Sequence, residues 1–171
     1  MIYIIPGLGE NCQLLRYRKL EAILQSNGYE VKCFNPNWYE PLSDQVFSVE
    51  KDSIVFGFSF GAVLAYLIAK KYTCKKVIFA SLSPIHKFSY DELVKDYNKH
   101  MSKKLSVRIA KDIKSIDISL NSINVPWVTM AGEYEGLSAD IIIPKTRHRI
   151  TNRYIEYIVA TASRLNDLDS N

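Results

Sequence analysis

Cysteine is scarce in this chain of 171 residues: Cys12, Cys33 and Cys74 only, an odd number with no C-x-x-C spacing. Neither a disulfide framework nor a structural zinc site is expected from them, and a reducing, cytoplasmic setting fits. Long apolar runs are missing as well. None reaches the ~20 residues that a membrane-crossing helix needs, so no membrane span is expected. Ile2 already belongs to a strand-like run, so no leader peptide is expected ahead of it. No internal repeat and no low-complexity stretch interrupts the chain. The formal net charge is only +4. Its lysines come in scattered pairs (Lys70-Lys71, Lys75-Lys76, Lys103-Lys104) rather than along one face, so nucleic-acid binding is not expected. What remains is a chain of ordinary globular composition, 47% hydrophobic and 23% charged, long enough for one domain with one sizeable core.

Glycine is sparse too, with seven in all, yet two of them flank one serine in Gly57-Phe58-Ser59-Phe60-Gly61. The preceding Ser53-Ile54-Val55-Phe56 is a short, β-branched apolar run that suits a buried strand. The following Ala62 to Ala69 is apolar nearly all round and suits a buried helix. A serine on a strand-to-helix turn with glycines two residues either side is the nucleophile elbow. The turn strains the serine backbone so that Oγ projects above the sheet, and a Cβ at either glycine would crowd a neighbouring element. It also leaves the Phe60 N–H at a helix start, aimed where an oxyanion would develop.

In chain order, Ile2-Tyr3-Ile4-Ile5 reads as a first strand closed by Pro6-Gly7-Leu8-Gly9. A helix carrying Leu20, Ile23 and Leu24 follows and stops at Asn27-Gly28. Glu30 to Phe34 alternates as a second strand and runs into a proline-bearing loop, Asn35 to Pro41. The elbow strand and its helix come next, then strands at Lys76 to Ala80, Val125 to Ala131 and Ile141 to Ile143. A last helix starts near Thr151 and buries Ile155, Ile158, Val159, Ala162 and Leu165. Strands alternating with helices predict an α/β three-layer sandwich, a mostly parallel sheet of about six strands with helices on both faces. One short polar insert at about 83–124 breaks the alternation and offers two helices, near Tyr90 to Met101 and Leu105 to Ile113. A flap over the site and a peripheral helix pair are both open readings of it. It is too short and polar for a deep apolar tunnel, so small or extended substrates are expected. With strand order 2-1-3-4-5-6 the reversal falls between strands one and three. Ligands of such sheets bind at that point, and there Pro6-Gly7-Leu8-Gly9 meets Ser59.

A nucleophilic serine needs a base, itself oriented by a third group. His100 lies in the polar insert, His86 follows strand four, and His148 follows strand six in Lys145-Thr146-Arg147-His148-Arg149. His148 stands on a loop at the carboxyl end of a strand, from which a base reaches the serine. For the acid, Gly132-Glu133-Tyr134-Glu135-Gly136 follows strand five; either glutamate serves, and Asp140 is a weaker third.

These marks together resemble the α/β-hydrolase superfamily, in the small, nearly lidless form of bacterial serine esterases, over most of the chain. The resemblance implies Ser59 as nucleophile, His148 as base and Glu135 as orienting acid, with the backbone N–H groups of Leu8 and Phe60 as oxyanion hole. Glu135 is preferred to Glu133 because the family's acid usually falls three residues after such a glycine. Gly7, Phe58, Arg147 and Arg149 are the candidates to contact substrate, the arginines because guanidinium pairs with carboxylate or phosphate. No cofactor and no metal is implied, and the partner is a small ester or thioester. Departures from the family pattern are the absence of its first two strands, Pro6 where a histidine often precedes the glycine, phenylalanines flanking the serine, and glutamate in place of aspartate. A non-catalytic binding module that keeps a relic serine is the reading to set against hydrolysis of an ester or thioester.

Overall fold

The computed structural model describes residues 1–82, 88–99 and 101–163. Six strands form one sheet: β1 (Ile2–Ile5), β2 (Val31–Cys33), β3 (Ile54–Phe58), β4 (Lys76–Ala80), β5 (Trp127–Gly132) and β6 (Ile141–Ile143). Their order is β2-β1-β3-β4-β5-β6 and every neighbouring pair is parallel. Among the described residues five α-helices cover it: α1 (Leu15–Ser26), α2 (Phe60–Lys71), α3 (Tyr90–Tyr97), α4 (Lys103–Ser115) and α5 (Asn152–Ser163).

Strand alternation sorts the core into two halves, because successive side chains leave opposite faces of the sheet. Tyr3, Ile5, Val55, Val77 and Phe79 pack under α2 with Ile109, Ala110 and Ile113 of α4. Ile2, Ile4, Phe56, Phe58 and Ile78 pack against Tyr17, Leu20 and Leu24 of α1 and Tyr154, Ile155 and Ile158 of α5. The result is a three-layer α/β/α sandwich. Ile23 and Val159, expected in the core, are only partly buried, while Tyr17 and Tyr154 fill it completely. Leu165 lies outside the described residues, as do His86 and His100.

The insert forms its two helices close to where the pattern placed them. Ser89 and Glu92 make a reciprocal capping box at the start of α3, and Ser102 Oγ accepts the Leu105 N–H at the start of α4. Neither is a detached flap. Buried Ile109, Ala110 and Ile113 join α4 to the main core, and its Asp112 carboxylate accepts the Leu42 N–H at 2.9 Å.

One expectation is overturned outright. Cys12, in the loop after β1, is disulfide-bonded to Cys33 at the end of β2, leaving only Cys74 free and buried. An odd count with irregular spacing concealed a bond between residues that the parallel pairing of β1 and β2 brings together. It also removes the ground on which a reducing compartment was expected.

Candidate active site

The elbow follows from its two glycines. Ser59, between β3 and α2, has φ 53° and ψ −118°, a conformation that costs a non-glycine residue strain. A Cβ on Gly57 would stand 2.4 Å from the Gly61 carbonyl oxygen and 2.6 Å from Ala62 Cα. One on Gly61 would stand 2.3 Å from the carbonyl oxygens of both Ile5 and Pro6. The bare backbone therefore lets α2 close onto both β3 and β1. The Ser59 N–H donates to the Ala80 carbonyl at 2.7 Å, which pins the turn to the end of β4.

His148, from the loop between β6 and α5, places Nε2 2.8 Å from Ser59 Oγ. Its Nδ1 lies 2.7 Å from Glu135 Oε2, on the turn after β5. An ionised carboxylate only accepts, so Nδ1 carries the ring proton and Nε2 is left to accept from the serine hydroxyl. Of the three candidate acids, Glu135 alone meets the imidazole. Glu133 accepts the Lys145 N–H at 2.7 Å, and Asp140, just ahead of β6, accepts the N–H and hydroxyl of Thr129 in β5.

The Glu135 side chain is only 3% exposed, against 47% for His148. Burial alone raises the pKa of a carboxyl. Hydrogen bonds from His148, the Gly132 N–H and the Ser81 hydroxyl outweigh that and hold Glu135 below its ordinary value. Ser81 was not foreseen. It closes β4 with φ 52°, is fully buried, and donates to Glu135 Oε1 at 2.8 Å while its oxygen lies 2.9 Å from the Tyr154 hydroxyl. A serine after a strand carries no sequence signal of its own, which is why its role escaped notice.

The loop after β1 is held by a second unforeseen set. The Gly7 N–H donates to the Tyr17 hydroxyl at 3.1 Å, and that hydroxyl in turn donates to Glu10, which also pairs with Arg16. The Tyr17 phenol is fully buried, and burial together with the Glu10 charge raises its pKa. The point where a Cβ on Gly7 would stand is 3.2 Å from Ser59 Cβ, so this loop lies directly against Ser59.

Among the candidate substrate contacts, Gly7 lines the site through its backbone. Phe58 is 1% exposed, and its ring centroid lies 5.2 Å from the His148 ring and 5.9 Å from Tyr154. It supports the imidazole from below instead of facing a ligand. Arg147 lies over the Tyr134 ring, 5.8 Å from its centroid, and the two line a shallow cleft with Leu137 and His148. Arg149 is exposed in the same loop. Among the described residues no group of three His, Cys, Asp or Glu is gathered to hold a metal ion, and no helix is long and apolar enough to cross a membrane.

Compared with solved structures, the chain is similar to alpha/beta hydrolase domain-containing protein 10 from mouse. The TM-score is 0.65 at 16% identity, over 99% of this chain and 90% of that one. It is also similar to Est1E from Butyrivibrio proteoclasticus, with TM-score 0.60 at 12% identity over 96% and 86% of the two chains. A third is an extracellular α/β-hydrolase from a Paenibacillus species, described as sharing structural and functional homology with tobacco salicylic acid binding protein 2. There the TM-score is 0.54 at 11% identity, over 95% and 98%. No family model matches the sequence, and no curated protein matches it. At these identities the likeness establishes the α/β-hydrolase fold.

Proposed function

We propose that this chain, built on the α/β-hydrolase fold, is a serine hydrolase that cleaves a carboxylic ester or thioester through an acyl-enzyme. The observation that carries the reading is the unbroken line from Ser59 Oγ through both nitrogens of His148 to the buried Glu135 carboxylate. The fold neighbours support it by kind, since two of them are named as α/β-hydrolases.

In this mechanism Ser59 Oγ attacks the carbonyl carbon as its proton passes to His148 Nε2. Glu135 holds the ring in the right tautomer and stabilises the imidazolium. The oxyanion is met by the N–H groups of Leu8 and Phe60. Phe60 is the first residue of α2, so its N–H has no acceptor inside the helix. Collapse of the tetrahedral intermediate breaks the bond to the leaving oxygen or sulfur, which takes the proton from His148. Water then repeats the sequence on the acyl-serine and regenerates Ser59.

A fluorophosphonate probe tests this directly. It should label the wild type at Ser59 and fail to label Ser59→Ala, whose circular dichroism and melting remain those of a folded protein. Equal labelling of the alanine variant would sink the assignment of Ser59 as nucleophile, and an inert wild type would return the chain to the reading of a binding module with a relic serine.

A further inference from the structure

We infer that the apolar cleft beside Leu8 is the site for the acyl part of the substrate, and that it takes an apolar acyl group of medium length. The inference rests on the hydrolase reading above. The cleft holds about 410 Å³ and is lined by Leu8 from the loop after β1, Trp38 and Tyr39 from the loop after β2, and Tyr97, Met101 and Leu105 from the insert.

The order of the strands, with the Arg108 bonds that bring the insert after β4 to the loop after β2, points to the half of a substrate that belongs there. Ser59 follows β3, near the middle of the sheet. Leu8, Trp38 and Tyr39 follow β1 and β2 on one flank, while Glu135 and His148 follow β5 and β6 on the other. His148 must return its proton to the departing oxygen or sulfur, so the leaving group lies on the His148 flank. The acyl substituent is left with the opposite flank, where the cleft begins at Leu8.

The walls suit such a group. Trp38 is 8% exposed and meets Phe60 edge-on with ring centroids 5.8 Å apart, which joins the cleft to the residue following the nucleophile. Burial, with Asp96 adding to it, pushes the Tyr97 phenol up to about 12, so this wall stays uncharged at neutral pH. The cleft is also braced from both sides. Arg108 of α4 donates through Nε to the Trp38 carbonyl at 3.1 Å and through Nη2 to the Glu40 carbonyl. The insert and the loop after β2 are thereby tied together, as a fixed site requires. Its volume is at the small end of ligand pockets, which favours medium chains over long ones. A medium acyl chain departs from the expectation, drawn from the short and polar insert, of small or extended substrates.

The test compares p-nitrophenyl acetate, octanoate and palmitate on wild type, Tyr39→Ala and Met101→Glu. It is paired with binding of octanoate to Ser59→Ala followed by tryptophan fluorescence. Tyr39 is 68% exposed, so its truncation is tolerated by the fold. The wild type should prefer octanoate to both other esters. Each cleft variant should lower the octanoate-to-acetate ratio of kcat/KM at least about tenfold, the size of a lost apolar pocket contact. Octanoate should change the emission of Trp38 in the Ser59→Ala protein, and less so when Met101→Glu is added. Ratios unmoved in both variants, or an optimum at acetate, would overturn the cleft while leaving ester hydrolysis standing. Octanoate binding without turnover of any ester would uphold the cleft as an apolar-acid site and overturn the hydrolase reading instead.

Discussion

At the scale of single residues, two glutamates in one five-residue stretch carry unequal parts. The Glu135 side chain is buried and receives three hydrogen bonds, from His148, the Gly132 N–H and the Ser81 hydroxyl, whereas exposed Glu133 only accepts the Lys145 N–H. Glu135→Gln should lower kcat by roughly 10³–10⁴, because an amide neither fixes the tautomer nor stabilises the imidazolium. Glu133→Gln should stay within about tenfold of wild type, the cost of one exposed hydrogen bond. The reverse ranking in steady-state assays would mean that the other carboxylate orients the base. The same substitution carries a pH signature. The Glu135 carboxyl titrates below its ordinary value in the folded chain. Its stabilisation is therefore complete above the unfolded carboxyl pKa of about 4.3 and is lost as pH falls through the lower folded value. The melting-temperature gap between wild type and Glu135→Gln should be widest near neutrality and close on acidification below about pH 4. A gap that widens in acid would contradict the charge-stabilising contacts. Ser59, His148 and the pair of glutamates were legible in the sequence because residue type, chain order and strand-end position all mark them. Ser81 and Tyr154 were not, since their value lies in side chains that meet across the fold, 73 residues apart.

At the scale of elements, α1 does more than cover the sheet. Its Tyr17 hydroxyl accepts the Gly7 N–H and donates to Glu10, so the helix sets the position of the loop that carries Gly7 and Leu8 and lies against Ser59. Tyr17→Phe keeps the ring and its packing and removes the bridge. If the Leu8 N–H serves the oxyanion as proposed, this should lower kcat about tenfold with KM little changed, the effect of weakening one such donor by part of its hydrogen-bond strength. A purely structural role would lower the melting temperature and leave kcat alone, so both are measured on the same protein. Apolar periodicity had marked this helix by Leu20, Ile23 and Leu24, and could not distinguish Tyr17 as a buried polar anchor. The strands were easier. Four apolar residues in Ile2–Ile5 and the β-branched run ahead of Gly57 admit few other conformations, and their ends moved by only a residue or two. The insert was legible as two helices, yet its apolar stripes gave no indication that α4 joins the main core through Ile109, Ala110 and Ile113.

At the scale of the whole molecule, the strand order places each loop, and the same order explains the bond that sequence reasoning missed. Because β1 and β2 run parallel and adjacent, with Ile4 opposite Cys33, the chain leaving β1 passes the end of β2 and brings Cys12 to Cys33. Spacing along the chain is silent about such a pairing; only the topology reveals it. The bond ties the loop that carries Leu8 to the edge strand of the sheet and closes a segment of 21 residues. Closing a loop of that length restricts the unfolded chain by about 3 kcal/mol, which for a domain of this size corresponds to roughly 6–12 °C in melting temperature. Neither half of the core, under α2 and α4 or under α1 and α5, is built on the bond, although Cys33 packs against the second, so the reduced protein should still fold and melt cooperatively, only earlier. Thiol titration in denaturant should find one reactive thiol before reduction, that of Cys74, and three after it. Dithiothreitol should lower the melting temperature by the stated amount, and the double variant Cys12→Ser/Cys33→Ser should melt with the reduced wild type. Three thiols before reduction, in protein handled without reductant, would remove the bond and with it this account of how the loop beside Ser59 is anchored.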